Sequence, residues 1–152
     1  MQSFPPTYIL RHQRENLKKC SLKGLEKRGD CQFFIYPKSI LPNISNYILL
    51  AIDAPDLTSK DEDKGIFLLD SSWRYAEKML KFVDSQTIIE KRSLPKYYRT
   101  AYPRRQNDCP DPEIGLASIE ALYIAYVILG RNTNGLLDNY HWKNLFLEKN
   151  SF

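Results

Sequence analysis

Two histidines in 152 residues leave little material for imidazole chemistry. His12 and His141 stand far apart and neither is flanked by a carboxylate pattern, which weighs against a Ser–His–Asp order or a histidine metal site. Cysteine is equally scarce. Cys20, Cys31 and Cys109 are odd in number and form no CxxC pair, so neither a disulfide framework nor a zinc ribbon is expected; no metal is assigned, and a reducing, cytoplasmic setting fits. Glycine, with six residues, forms no phosphate-cradling loop. The longest apolar stretch, residues 116–129, is interrupted by Ser118 and Glu120 and is too short to span a bilayer, so it reads as a buried helix and no membrane partner is expected. The opening MQSFPPTYIL lacks a charged segment followed by an apolar one, which argues against a secretory signal.

What is present suits one soluble globular unit, with 43% apolar and 26% charged residues. The formal charge of +4 is only mildly basic, and its distribution says more. Residues 91–105 carry Lys91, Arg92, Lys96, Arg99, Arg104 and Arg105, no acidic residue, and the interleaved Tyr97, Tyr98 and Tyr102. Residues 53–63 are the opposite, with Asp53, Asp56, Asp61, Glu62 and Asp63. This pattern predicts a cationic face and an anionic face. Arginines interleaved with tyrosines suit RNA, because phosphates and unpaired bases are then both served, although solvated surface charge is the plainer alternative.

Short branched or aromatic runs at 8–10, 32–36, 47–52 and 65–69 predict strands. The last two are apolar throughout, as strands buried on both faces of a parallel sheet must be. Between them Thr58 and Asp61 have capping-box spacing for a short crossover helix. Helices are predicted over 73–83, over 115–129 with Gly130 as terminator, and over 135–149, and further strands at 87–89 and 99–102. Strand-rich residues 1–56 read as an N-terminal lobe and residues 57–152 as the main α/β domain.

Asp70, Ser71, Ser72 and Trp73 end a buried strand and begin a helix, the place where open α/β sheets bind ligands. Asp70 there has two readings, a catalytic base or the residue that holds the helix start. The segments KKCS (18–21), GIFLLDSSW (65–73), SLP (93–95), TAYP (100–103), LASIEA (116–121) and FLEKN (146–150) resemble, in order and spacing, the motifs of the small-subunit (16S/18S) rRNA aminocarboxypropyltransferase family. Residues 102–121 are also similar to the DTW-domain family, which modifies uridines in tRNA.

The resemblance implies a SPOUT-like α/β domain with a C-terminal trefoil knot around S-adenosylmethionine. It places Ser72 and Trp73 at the cofactor, the indole near the sulfonium, Leu94 at the ribose, and Leu116, Ala121 and Leu122 over the adenine. Ser21 would lie near the amino-acid carboxylate and, on a weaker match, Pro55 near the adenine. An aromatic wall around the methyl group would leave the longer 3-amino-3-carboxypropyl arm facing the nucleophile, and its π-face would attract the sulfonium. Lys96, Arg99, Arg104 and Arg105 are the candidate RNA contacts. Two departures matter: residues 102–107 (YPRRQN) replace the rRNA family's NPVNYG run, and the cysteine-rich start of the DTW family is missing, so its metal site is not carried over. The expected activity is aminocarboxypropyl transfer to a uridine or pseudouridine in structured ribosomal or transfer RNA. The alternatives are a methyltransferase of the same architecture and a noncatalytic RNA-binding module of ribosome assembly. Oligomeric state is not readable.

Overall fold

The computed structural model describes residues 4–18, 20–71, 73–103 and 115–152, residue 73 by its backbone only. Five strands, β1 (Thr7–His12), β2 (Cys31–Tyr36), β3 (Tyr47–Leu50), β4 (Gly65–Asp70) and β5 (Glu90–Arg92), form one sheet in the order β2-β1-β4-β3-β5. All four strand pairings are parallel. Residue 57, where the sequence suggests a boundary, falls between β3 and β4, which are neighbours in that sheet.

The apolar runs explain themselves once the two sheet faces are separated. Ile9, Ile48, Ile66 and Leu68 point to a core shared with Ile119, Leu122, Ala125 and Tyr126 of α2 (Ser118–Ile128) and Phe146 of α3 (Lys143–Lys149). Leu10, Leu49 and Phe67, one residue out of step, point to the other face, against Met79 and Val83 of α1 (Trp73–Gln86). A strand with apolar side chains on both sides can only sit between two layers.

Several sequence expectations shift. The capping box at Thr58 and Asp61 forms, but it starts a single 3-10 turn, Ser59–Asp61. The run at 87–89 is not a strand: α1 continues to Gln86, Ile88 is 97% exposed, and pairing with β3 begins at Glu90. Charged residues serve there because β5 is an edge strand. Residues 99–102 are irregular, and α2 starts at Ser118 rather than at 115. Gly130 follows α2 with φ +70, as a helix terminator should. The helix expected over 135–149 is confined to α3; before it, Leu136, Leu137 and Tyr140 enter the core from a run of turns, although their spacing would also suit a helical stripe. Among the described residues no helix is long and apolar enough to cross a membrane.

Gly65 is required where it stands. A Cβ there would lie 2.3 Å from the Tyr47 ring, which stacks on Tyr8 at 4.4 Å and whose hydroxyl donates to the Pro6 carbonyl at 2.6 Å. The ring is held from two sides and cannot retreat. Gly65→Ala is therefore expected to cost about 1 to 3 kcal/mol in urea unfolding, as overpacking does, with Tyr47→Leu in the same chain recovering part of the loss.

Candidate functional site

The carboxyl ends of the parallel strands lie on one side of the sheet, and Asp70, singled out in the sequence, ends β4 there. Asp70 lies directly opposite Arg11 of β1. It is 3% exposed and its oxygens are engaged. Oδ2 accepts from Arg11 Nε at 3.0 Å and from the Cys20 thiol at 3.3 Å, and Oδ1 accepts from the Ser118 hydroxyl at 3.2 Å. Arg11 also donates to Glu26 Oε1 at 3.1 Å and lies 4.4 Å over the Phe33 ring. Burial pulls the Arg11 guanidinium down, but Asp70, Cys20 and Glu26 outweigh it and raise it above its usual value. Burial, with the charge of Asp70, pushes the Cys20 thiol up to about 12, so it stays protonated and donates. Glu15 is raised as well, by burial and then by Asp70. Glu15, Cys20 and Asp70 bring ligand-type atoms within 4.8 Å of one another, yet the cation that Asp70 faces is Arg11.

Ser21 meets the start of α2: its hydroxyl accepts the Ile119 N–H at 3.2 Å. Glu120, one residue on, is wholly buried. Its carboxylate accepts from the Ala117 N–H at 2.8 Å, the Thr100 hydroxyl at 2.6 Å, the Ala101 N–H at 2.8 Å and the Tyr140 hydroxyl at 2.9 Å. Four donors satisfy a charge that would otherwise be prohibitive to bury. The TAYP and ASIEA segments are thus two halves of one joint.

A second joint holds Pro55 against the 93–95 turn. Ser93 N–H donates to the Pro55 carbonyl at 2.9 Å, Leu57 N–H to the Ser93 carbonyl at 2.8 Å, and the Ser93 hydroxyl to the Ala54 carbonyl at 2.7 Å. Pro55 is exposed, while Leu94 and Leu116 are half-buried at the margin of the larger core. Ala121 is half-buried and Leu122 lies wholly inside that core. Ser72 lies outside the described residues, and Trp73 opens α1.

The two charged segments meet where β5 ends. Arg92 reaches Asp61 of the acidic stretch at 3.3 Å and Glu90 at 2.7 Å, and Lys91 pairs with Asp84 at 2.9 Å. Lys96 and Arg99 are exposed, and Asn150 pins the Arg99 backbone on both sides, accepting its N–H at 2.7 Å and donating to its carbonyl at 2.8 Å. That pair of hydrogen bonds gives the Asn150 of the closing FLEKN a structural role. Arg104 and Arg105 lie outside the described residues. Sequence reasoning missed Arg11, Ser118 and the thiol of Cys20; an arginine inside the otherwise apolar TYILRH strand was the available signal for the first. His12, beside Arg11, is buried and stacked on Tyr75 at 4.0 Å, and burial lowers its pKa.

No family model matches this chain, and no curated protein matches it. The chain is similar to a solved structure described as the SAM-dependent rRNA:acp-transferase Tsr3 from Vulcanisaeta distributa, with 25% sequence identity, a TM-score of 0.71, and coverage of 96% of this chain and 78% of that one.

Removing Arg11 leaves Asp70 buried without its cation. Their side chains are 6% and 4% exposed, so Arg11→Met is expected to lose about 3 to 5 kcal/mol in chemical denaturation, and Arg11→Met with Asp70→Asn distinctly less. The thiols give a pH signature. Cys20 and Cys31 are both raised from 9.0 to about 12, so the folded state binds their protons more tightly than the unfolded one. Their contribution is complete below pH 9 and falls away as pH rises towards 12. Alkylation of the native protein at pH 8, mapped by mass spectrometry, should leave both unmodified; rapid labelling of either would contradict the burial described.

Proposed function

We propose that this chain is an S-adenosylmethionine-dependent transferase that places the 3-amino-3-carboxypropyl group on a uridine or pseudouridine of ribosomal RNA. The observation that carries this reading is that segments resembling the rRNA aminocarboxypropyltransferase motifs are hydrogen-bonded to one another, Cys20 and Ser118 to Asp70 and residues 100–101 to Glu120, in a fold similar, over nearly the whole chain, to an rRNA:acp-transferase. A SPOUT-like class with a trefoil knot belongs to the same reading.

The residues at the edge suit the cofactor chemically. Half-buried Leu94 and Leu116, with exposed Pro55 clamped alongside, offer apolar walls for an adenosine, and Ser21 with the α2 start offers polar groups for an amino-acid head. In this reading Ser21, Pro55, Ser72, Trp73, Leu94, Leu116, Ala121 and Leu122 form the cofactor site, directly or by backing its wall. The bound cofactor supplies an electrophilic carbon next to a sulfonium. In this reading Trp73 would select among its three carbons by shielding the methyl group.

Of the two roles open to Asp70, its hydrogen bonds favour positioning. Its oxygens are taken up by a guanidinium, a thiol and a hydroxyl that come from three other parts of the chain. Asp70 instead ties the end of β4 to the loop at Cys20 and to α2, fixing the walls between them. Lys96 and Arg99, with Arg104 and Arg105, would hold RNA phosphates and favour the negative charge that develops on the target base.

S-adenosylmethionine labelled separately in its methyl and its carboxyl carbon, incubated with the protein and ribosomal RNA, tests the reading. Carboxyl label should enter the RNA and methyl label should not; methyl label in RNA would overturn it. Trp73→Ala should lower cofactor affinity by about tenfold in calorimetry, the order of a desolvated cation–π contact.

A further inference from the structure

Three residues beyond Leu94, Tyr97 begins a row of rings whose outer end neither the core nor the cofactor reading uses. Tyr97 is 70% exposed. Its ring lies 4.6 Å from that of Tyr98, which stacks on Phe152 at 5.7 Å with planes 9° apart. Phe152, 41% exposed, is fixed from behind by Tyr123 and Phe146, and Tyr98 packs on the larger core. The row therefore has a rigid base and an open end at Tyr97. A large aromatic left in water on such a support is a surface made to be covered.

The charge around it identifies what covers it. Lys96, Arg99 and Lys149 are all exposed, and none has a carboxylate partner among the described residues. Arg99 is held by the carbonyls of Lys96 at 2.7 Å and Tyr98 at 3.2 Å, and Lys149 by the carbonyl of Thr100 at 3.1 Å, so both cations are oriented without being neutralised. This contrasts with Lys91 and Arg92 a few residues earlier, which are paired to acids. An open aromatic face flanked by oriented, unneutralised cations matches an unpaired base with its flanking phosphates. A paired duplex would satisfy the cations but leave the ring unused.

We propose that Tyr97, backed by Tyr98 and Phe152, is a stacking platform for an unpaired base of the RNA substrate, with Lys96, Arg99 and Lys149 on its phosphates. The proposal rests on the RNA-modifying reading and adds the kind of RNA, a loop or bulge rather than a helix, and the surface that receives it. The proximity of Leu94 sets the platform beside the proposed cofactor wall, where a base next to the target nucleotide would fall.

The full chain can be titrated with a hairpin RNA carrying a fluorescent base analogue in its loop, and with a fully paired RNA of equal length. Tyr97→Ala should weaken hairpin binding about tenfold, within the range seen when base-stacking aromatics are removed, and leave duplex binding unchanged. Tyr97→Phe keeps the ring and should bind within twofold of the parent chain. Lys96→Gln should lower the slope of affinity against salt for both RNAs. Hairpin affinity unaltered by Tyr97→Ala, or a polyglutamate peptide competing as well as the hairpin, would overturn the platform. Calorimetry with S-adenosylmethionine separates the two ideas: cofactor binding unchanged in Tyr97→Ala with hairpin affinity also unchanged removes the platform alone, whereas no cofactor binding by the parent chain, with Tyr97-dependent hairpin binding retained, removes the transferase reading and keeps the platform.

Discussion

The buried pair of Arg11 and Asp70 is the constraint around which the carboxyl edge of the sheet is built. Two adjacent parallel strands bring the two residues opposite each other, and the pair is too deeply buried for either charge to survive alone. The Asp70 carboxylate gathers donors from different parts of the chain: the Cys20 thiol from the loop after β1 and the Ser118 hydroxyl from α2. A local charge-pairing requirement thus sets the distance between three segments. Ser21, next to Cys20, is consequently brought to the α2 start, where its hydroxyl takes the Ile119 N–H.

Glu120 extends the same logic on the far side of α2. The buried carboxylate of the SIEA segment joins residues 100–101, the α2 start and Tyr140, while Asn150 fixes Arg99 from the end of α3. Motifs that look scattered along the chain are therefore contact partners. This gives the resemblance to the aminocarboxypropyltransferases a physical basis: the recurring residues are those whose polar groups must be satisfied for the edge to close. Chemistry at that edge needs positioning more than it needs acids or bases, because the electrophile comes with the cofactor.

Much of the fold was legible because its signals are local. The unbroken apolar runs at 47–52 and 65–69 implied a layer on each face, although the strand in the first stops at Leu50 and leaves Ile52 exposed; Thr58 and Asp61 announced their turn, and Gly130 ended α2 at its expected place. What was misread depended on tertiary competition. At 87–89 the branched residues looked like a strand, but extension of α1 left Ile88 in water and gave pairing to the charged residues 90–92. At 135–149 the spacing looked helical, but residues 134–139 form turns and the helix begins only at Lys143. The opposing charge blocks looked like two surfaces, and they meet where Arg92 pairs with Asp61. In the candidate site the strand-end motif and the 93–95 turn were readable from their residues. Arg11 and Ser118 were not, since only the sheet register and the packing of α2 make them neighbours of Asp70.

The central claim is that this edge directs attack to the cofactor's longer arm while the methyl carbon stays shielded. Chromatography of the small molecules released during turnover on ribosomal RNA tests it most directly. The account predicts methylthioadenosine in amounts equal to the RNA modified; S-adenosylhomocysteine in its place would contradict it.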